Sequence, residues 1–276
     1  MEKNNLKIGI VQGRLSPSFG DRFQFFPKDW EREFFLAKNL GFNSIEWLFD
    51  WPEAVENSII RVVGRKEIEK VVAETGVKVN SICADYYMKY RFTGSDTNNS
   101  LKVLSQLIEA AKITTERLIL IPLLEQNAPK TNEEKDEIIL NIKKVLPEAE
   151  KNGVRITFET EMNSPEILEF LKGFHSDAVG VYYDIGNATS YGFNCPEDII
   201  KLGKYIFGIH AKDRKVNTTQ SVLLGQGDAD YKGCFDALKK VGFSGTIIMQ
   251  AWRGEDYLGD AKKQLLFLKE ISKDYS

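Results

Sequence analysis

The feature that most constrains the fold of this 276-residue chain is an alternation, repeated eight times, of a short apolar run with a longer amphipathic segment. The runs are rich in β-branched residues and predict strands, whereas the segments predict helices. Such alternation is typical of βαβ units, which build a parallel sheet. The predicted strands span residues 6–11, 43–47, 77–83, 117–121, 154–158, 179–183, 205–209 and 246–249. The predicted helices span residues 30–40, 65–75, 101–114, 132–151, 165–173, 196–202, 231–241 and 257–271.

Eight units of this size predict a closed barrel of the α/β class, a (β/α)8 TIM barrel, as a single domain over residues 1–276. An open doubly wound sheet more often has fewer strands and a glycine-rich phosphate turn after the first one. Here Gln12, Gly13 and Arg14 follow the first strand, and neither a GxGxxG nor a Walker A pattern occurs. The sequence therefore favours the barrel.

The composition argues against several classes of partner. The chain carries 37 Lys and Arg against 40 Asp and Glu, without the clustered basic residues that are typical of nucleic-acid binding. Its longest apolar stretch, residues 118–124, is too short to cross a bilayer, and no apolar signal segment is evident. Its three cysteines are far apart in sequence, which fits a reducing compartment. We therefore expect a cytoplasmic protein with neither a nucleic-acid nor a membrane partner.

Four consecutive predicted strands end in groups that bind metals. Glu159 stands in FETE, Asp184 in YYDIGN, His210 in HAKDR and Gln250 in MQAWR. The carboxyl ends of barrel strands meet at one mouth, where barrel enzymes place their chemistry. A single residue of this kind is more often an ordinary polar group that contacts solvent or caps a helix. As a set, two acids, a histidine and an amide predict a site for one divalent ion.

The ligand types bear on which ion binds. Two carboxylates cancel a 2+ charge, and oxygen with imidazole ligands suits Mn²⁺ or Mg²⁺, with Co²⁺ or Zn²⁺ as alternatives. No thiolate belongs to the set, which argues against a closed structural zinc site. Strand alternation places Glu161 on the same face as Glu159. The second histidine, His175, is predicted to be a surface or loop residue away from the site.

Seven motifs follow one another along nearly the whole chain. They are IGIVQGRLSP, SIEW, SICADYY, FETE, YYDIGN, HAKDR and LLGQGDADY. In this order they resemble the xylose-isomerase-like barrel superfamily of sugar and sugar-phosphate isomerases, epimerases and inosose dehydratases. The resemblance implies a metal, held by Glu159, Asp184, His210 and residue 250, that binds two adjacent oxygens of an open-chain sugar. It also implies that Glu159 removes the proton beside the carbonyl to give an enediolate, and that a homo-oligomer is possible.

The chain departs from this superfamily at two points. Many members carry Glu where this chain has Gln250, and an amide cannot transfer a proton. Isomerisation by Glu159 alone survives this change, whereas epimerisation needs a second group such as Glu161, Glu46 or Asp85. The extra histidines with which the endonuclease members hold three zinc ions are also missing, which argues against DNA repair.

The remaining charged residues of the motifs are candidates for substrate binding. Cationic side chains surround the predicted mouth, which favours a phosphorylated sugar but leaves a free sugar open. An ion pair between Lys212 and Glu159, Glu161 or Asp213 is an equally good interpretation. The predicted substrate-binding residues are Arg14, Glu46, Asp85, Glu161, Lys212, Arg214 and Arg253.

The function predicted from these residues is a metal-dependent isomerase or epimerase of a small sugar or sugar phosphate. A dehydratase of a cyclic polyol is the alternative among enzymes, because it begins with the same metal-assisted proton removal. A non-catalytic, metal-dependent sugar-binding protein is the alternative from another class, since the carboxylate at position 250 is missing.

Overall fold

The structure, a computed structural model, describes residues 6–20, 23–51 and 54–274. Its strands are β1 (Ile8–Val11), β2 (Ser44–Leu48), β3 (Lys78–Cys83), β4 (Leu118–Leu123), β5 (Arg155–Thr160), β6 (Val179–Asp184), β7 (Ile206–Ala211), β8 (Asp213–Arg214), β9 (Ser221–Val222) and β10 (Ile247–Met249). Eight of them form a closed parallel barrel in the order β1-β10-β7-β6-β5-β4-β3-β2. The predicted barrel is therefore confirmed.

At least one helix follows each barrel strand in sequence. The helices are α1 (Trp30–Leu40), α2 (Val62–Thr75), α3 (Thr97–Ala110), α4 (Asn132–Ile142), α5 (Leu146–Lys151), α6 (Ser164–Lys172), α7 (Ile185–Ser190), α8 (Cys195–Leu202), α9 (Tyr231–Lys240) and α10 (Tyr257–Ile271). Within the part of the chain that the structure describes, no helix is long and apolar enough to cross a membrane.

Three features differ from the sequence prediction. The single helix expected over 132–151 is two helices, because Pro147 in the first turn of α5 lacks an N–H and would clash with the carbonyl of Lys143 if the helix were continuous. The short helix α7, which was not predicted, begins directly after β6. The small antiparallel pair of β8 and β9 was not predicted either, and it forms a hairpin above the end of β7.

The apolar side chains form two layers, as the alternation of a strand requires. On β4, Leu118 and Leu120 point into the barrel, whereas Ile119 and Ile121 belong to the layer between the barrel and the helices. Tyr182 also belongs to the inner layer and is fully buried. A Cβ atom at Gly208 would lie 2.4 Å from the ring of Tyr182. Glycine at position 208 therefore allows this ring to lie across the barrel interior, beneath the site described next.

Candidate active site

The structure brings Glu159, Asp184 and His210 together at the ends of the adjacent strands β5, β6 and β7. Each is buried, and one potential ligand atom from each lies within 4.8 Å of the others. His210 Nδ1 is 3.4 Å from Glu159 Oε2 and 3.9 Å from Asp184 Oδ2. Two carboxylates and one imidazole thus converge on one point at the barrel mouth.

Two atoms of this cluster have unused bonding capacity. Asp184 Oδ2 and His210 Nδ1 are buried, and neither has a hydrogen-bond partner among the described residues. A buried polar atom without a partner costs about 1–3 kcal/mol, more where the atom is charged. A cation bonded to both atoms would remove that cost. The donor set therefore fits a divalent metal ion, in agreement with the ligand types expected from the sequence.

Asn187 in α7 fixes the other oxygens of the two carboxylates. Its backbone N–H donates to Asp184 Oδ1 over 2.7 Å, so that Asp184 caps α7. Its side-chain amide donates to Glu159 Oε1. A Cβ atom at Gly186 would lie 2.6 Å from the carbonyl oxygen of Lys212, so glycine lets α7 approach β7 this closely. The YYDIGN motif thus supplies both a candidate metal ligand, Asp184, and the residue that orients the two carboxylates, Asn187.

Glu46 lies below the cluster and does not line the cavity above it. Its Oε2 is 2.6 Å from His210 Nε2. Its Oε1 accepts hydrogen bonds from Tyr182 and Ser81 over 2.6 and 2.7 Å. A carboxylate on one imidazole nitrogen fixes the tautomer and directs the other nitrogen to a metal. Glu46, expected to bind substrate, is therefore a positioning residue for His210, and the structure gives it no exposed surface.

The pKa values of the cluster reflect this close packing. Burial by itself would lower the pKa of His210, but the charge of Glu46, the hydrogen bond to Glu46 and the nearby carboxylate of Glu159 outweigh it and raise the pKa to about 10. Burial would raise the pKa of Glu159, yet the nearby imidazole of His210 lowers it. Burial raises the pKa of Asp184, although the charge of Lys212 opposes this. Without a metal, the cluster therefore holds a proton on His210 at neutral pH.

Lys212 lies between the cluster and Gln250. Its Nζ donates to Gln250 Oε1 over 2.8 Å and is 3.5 Å from Asp184 Oδ2. Lys212 therefore forms an ion pair with Asp184, which was not one of the three partners considered for it. Asp213 points the other way and accepts the backbone N–H groups of residues 225, 227 and 229. Gln250 is close to the cluster, but its oxygen is engaged by Lys212.

A cavity of about 600 Å³ opens above the cluster. This volume suits a small-molecule ligand. Among the predicted site residues, those lining it are Asp85, Glu159, Lys212, Arg214 and Gln250. Asp85 Oδ2 accepts a hydrogen bond from Gln24 over 2.6 Å, and burial raises the pKa of this carboxyl.

Three further residues predicted to bind substrate are engaged elsewhere. Arg14 donates to the carbonyl of Phe23 over 2.7 Å, and Arg253 donates to the same carbonyl over 3.3 Å, so both brace the first loop. Glu161 accepts the backbone N–H of Glu125 and lies 3.6 Å from Lys130 Nζ. The structure therefore does not bring these three side chains to the cluster.

Glu33 was not anticipated from the sequence. It is almost fully buried on α1, where its carboxylate accepts the backbone N–H groups of Gly13 and Leu15 and the hydroxyl of Ser16. These bonds fix the loop that follows β1. The signal available in the sequence is an acidic residue next to the apolar positions of a helix, which is a weak indication. His175 is exposed, as predicted.

The comparison with known families agrees with this architecture. The sequence model of the Xylose isomerase-like TIM barrel family matches residues 34–271. The chain belongs to this family. The resemblance inferred from the seven motifs is thereby confirmed.

Related proteins include sugar epimerases. L-ribulose-5-phosphate 3-epimerase UlaE of Salmonella paratyphi A is 25% identical over 236 residues, which are 81% of this chain and 82% of the relative. The structure of an L-ribulose 3-epimerase has a TM-score of 0.76 at 19% identity and covers 98% of this chain and 95% of its own. The structure of the IOLI protein with a zinc atom has a TM-score of 0.73 at 19% identity and covers 98% and 99%. Identities below 20% establish the shared fold and leave the substrate open.

Proposed function

We propose that the protein is a metal-dependent isomerase or epimerase of a small open-chain sugar or sugar phosphate. The observation that carries this proposal is the pair of buried atoms without a hydrogen bond, Asp184 Oδ2 and His210 Nδ1, beside Glu159 under a cavity of about 600 Å³. Membership of the family and the likeness to sugar epimerases support the same reaction class.

Glu159, Asp184 and His210 would hold one divalent ion. The two carboxylates match an ion such as Mn²⁺ or Mg²⁺, and the zinc atom in the related IOLI structure supports Zn²⁺ as an alternative. Co²⁺ accepts the same oxygen and imidazole ligands. When bound, such an ion polarises the sugar carbonyl as a Lewis acid. Gln250 could become a fourth ligand if its oxygen released Lys212.

Glu159 is the proposed general base. It lines the cavity, and its lowered pKa keeps the carboxylate ionised at neutral pH, so that it can accept the proton beside the sugar carbonyl. Asn187 holds one of its oxygens and so orients the carboxylate. A single base such as Glu159 is enough for the carbon-to-carbon proton transfer of an aldose–ketose isomerisation, because it removes and returns the proton on one face of the enediolate. The reaction also requires a proton to pass between the two adjacent oxygens.

Epimerisation needs a second proton-transfer group on the opposite face of the sugar. Of the three carboxylates considered, Glu46 is buried below the cluster and Glu161 is bonded to a neighbouring loop, whereas Asp85 lines the cavity. The raised pKa of Asp85 brings its proton exchange closer to neutral pH. Asp85 is therefore the proposed second group if the reaction is an epimerisation.

The test is solvent deuterium exchange into the sugar, followed by NMR at saturating Mn²⁺. In Glu159→Gln the shape of the side chain is kept and the base is removed, so exchange should fall by roughly 10²- to 10⁴-fold. Glu161→Gln is the matched control, because it makes the same change two residues further along the chain. The side chain of Glu161 bonds to the backbone of Glu125 and lies outside the cavity. Undiminished exchange in Glu159→Gln would refute the assignment. Loss of water from the product would indicate the dehydratase, and sugar binding without exchange would indicate the binding protein.

A further inference from the structure

The four cationic residues predicted around the barrel mouth differ in the bonds they already make. Arg14 and Arg253 brace the carbonyl of Phe23, and Lys212 bonds to Gln250. Arg214 lines the cavity, and its buried Nε has no hydrogen-bond partner in the part of the chain that the structure describes, as is also true of the Nε atoms of Arg14 and Arg253. Arg214 differs from those two because its side chain makes no hydrogen bond or ion pair with the described residues. A guanidinium with unused donors is therefore available to a ligand.

The hairpin of β8 and β9 holds Arg214 in place. Arg214 pairs with Ser221 across the hairpin, and its backbone carbonyl accepts the N–H of Asp228 over 3.0 Å. The adjacent Asp213 accepts three backbone N–H groups of the following loop, which fixes the base of the hairpin. Residues 219–221 of the hairpin line the same cavity as Arg214. Arg214 therefore lies on a hairpin whose backbone is held by hydrogen bonds, next to polar residues that line the same cavity.

Apart from Glu159 of the cluster, the acidic residues that line the cavity lie on the side away from Arg214. Asp50, Asp85 and Glu125 line the cavity after β2, β3 and β4. Arg214 follows β7, which lies opposite β3 in the strand order of the barrel. A ligand with hydroxyls at one end and a negative group at the other matches this division of charge.

We propose that Arg214 and the β8–β9 hairpin form a subsite for an anionic terminus of the substrate, a phosphate or a carboxylate. The planar fork of a guanidinium binds both groups through two parallel hydrogen bonds. This proposal rests on the proposed function, which places the reacting carbons of the sugar at Glu159. It selects an acidic or phosphorylated sugar over a neutral one.

The experiment compares a neutral ketopentose, its 5-phosphate and a keto sugar acid with the Mn²⁺-loaded protein. The anionic sugars should exchange deuterium with the higher kcat/KM, and the better of the two identifies the anion. Arg214→Met should lower kcat/KM for that sugar by about 10- to 100-fold more than kcat/KM for the neutral sugar. Lys215→Met is the matched control, because it removes the same charge from the exposed neighbouring position. Equal rates for all three sugars, or an equal loss for all in Arg214→Met, would overturn the subsite.

A second measurement separates this proposal from the proposed function. Binding of inorganic phosphate is measured by calorimetry with the same three proteins, and it requires no turnover. If no sugar exchanges deuterium, the proposed function fails. Phosphate binding that is lost in Arg214→Met and kept in Lys215→Met would still support the subsite. Absence of phosphate binding together with absence of exchange, or equal binding in Arg214→Met, rejects it.

Discussion

The contact between Glu46 and His210 permits a sharp test of how this site is organised. Glu46 Oε2 lies 2.6 Å from His210 Nε2, so the ionised carboxylate accepts the Nε2–H and leaves Nδ1 directed at Glu159 and Asp184. In Glu46→Gln the amide oxygen can keep this hydrogen bond. Its charge is lost, however, and the amide nitrogen then faces Tyr182, which at present donates to Glu46.

The expected effect of Glu46→Gln is a weaker metal site in a folded protein. Removing a group that orients a metal-binding histidine typically costs 10- to 100-fold in affinity, or about 1.4 to 2.8 kcal/mol. Folding should persist, because the hydroxyl of Tyr182 can rotate to accept from the new amide. Calorimetric titration of Mn²⁺ gives the affinity. The chain has two histidines, so a ¹⁵N spectrum reports directly on the tautomer of His210.

Glu33→Gln is the control for this experiment. It makes the same substitution at a buried carboxylate that bonds Gly13, Leu15 and Ser16. It should therefore leave the affinity for Mn²⁺ unchanged. An affinity in Glu46→Gln that stays within about twofold of the original protein, with the tautomer of His210 also unchanged, would refute the reasoning.

Three further predictions concern the same cluster. The charge of Glu46 outweighs burial and raises the pKa of metal-free His210 to about 10, so each bound ion must displace a proton from this histidine. The logarithm of the Mn²⁺ association constant should therefore rise by about one per pH unit from pH 7 to 9. A flat titration would contradict a protonated His210. Mn²⁺ at about 100 times its dissociation constant should stabilise the protein by about 2.7 kcal/mol in thermal unfolding, and Asp184→Ala should abolish this gain. Gly208→Ala forces a methyl group to 2.4 Å from the ring of Tyr182, so urea denaturation should show a loss of about 1–3 kcal/mol.

The sequence by itself determined the barrel and the meeting of three candidate metal-binding residues at its mouth. Strand and helix periodicities are local properties, and eight alternations leave few other ways to bury the apolar faces. Because parallel strands end at one edge, polar residues at three consecutive strand ends had to meet, and the structure places Glu159, Asp184 and His210 within 4.8 Å. Pro147 also marks the boundary between α4 and α5 in the sequence. The prediction missed this boundary because the amphipathic pattern continues through residues 132–151.

Only the tertiary structure decided what each charged side chain around the mouth bonds to. Arg14 and Arg253 have similar positions in the sequence pattern to Arg214, yet the first two donate hydrogen bonds to the carbonyl of Phe23, and the side chain of the third makes none to the described residues. Glu46 and Asp85 both lie in motifs near predicted strand ends, but Glu46 lies within β2 beneath His210, whereas Asp85 follows β3 and lines the cavity. Long side chains reach several partners, and the choice among them depends on contacts between residues far apart in sequence, which periodicity does not encode.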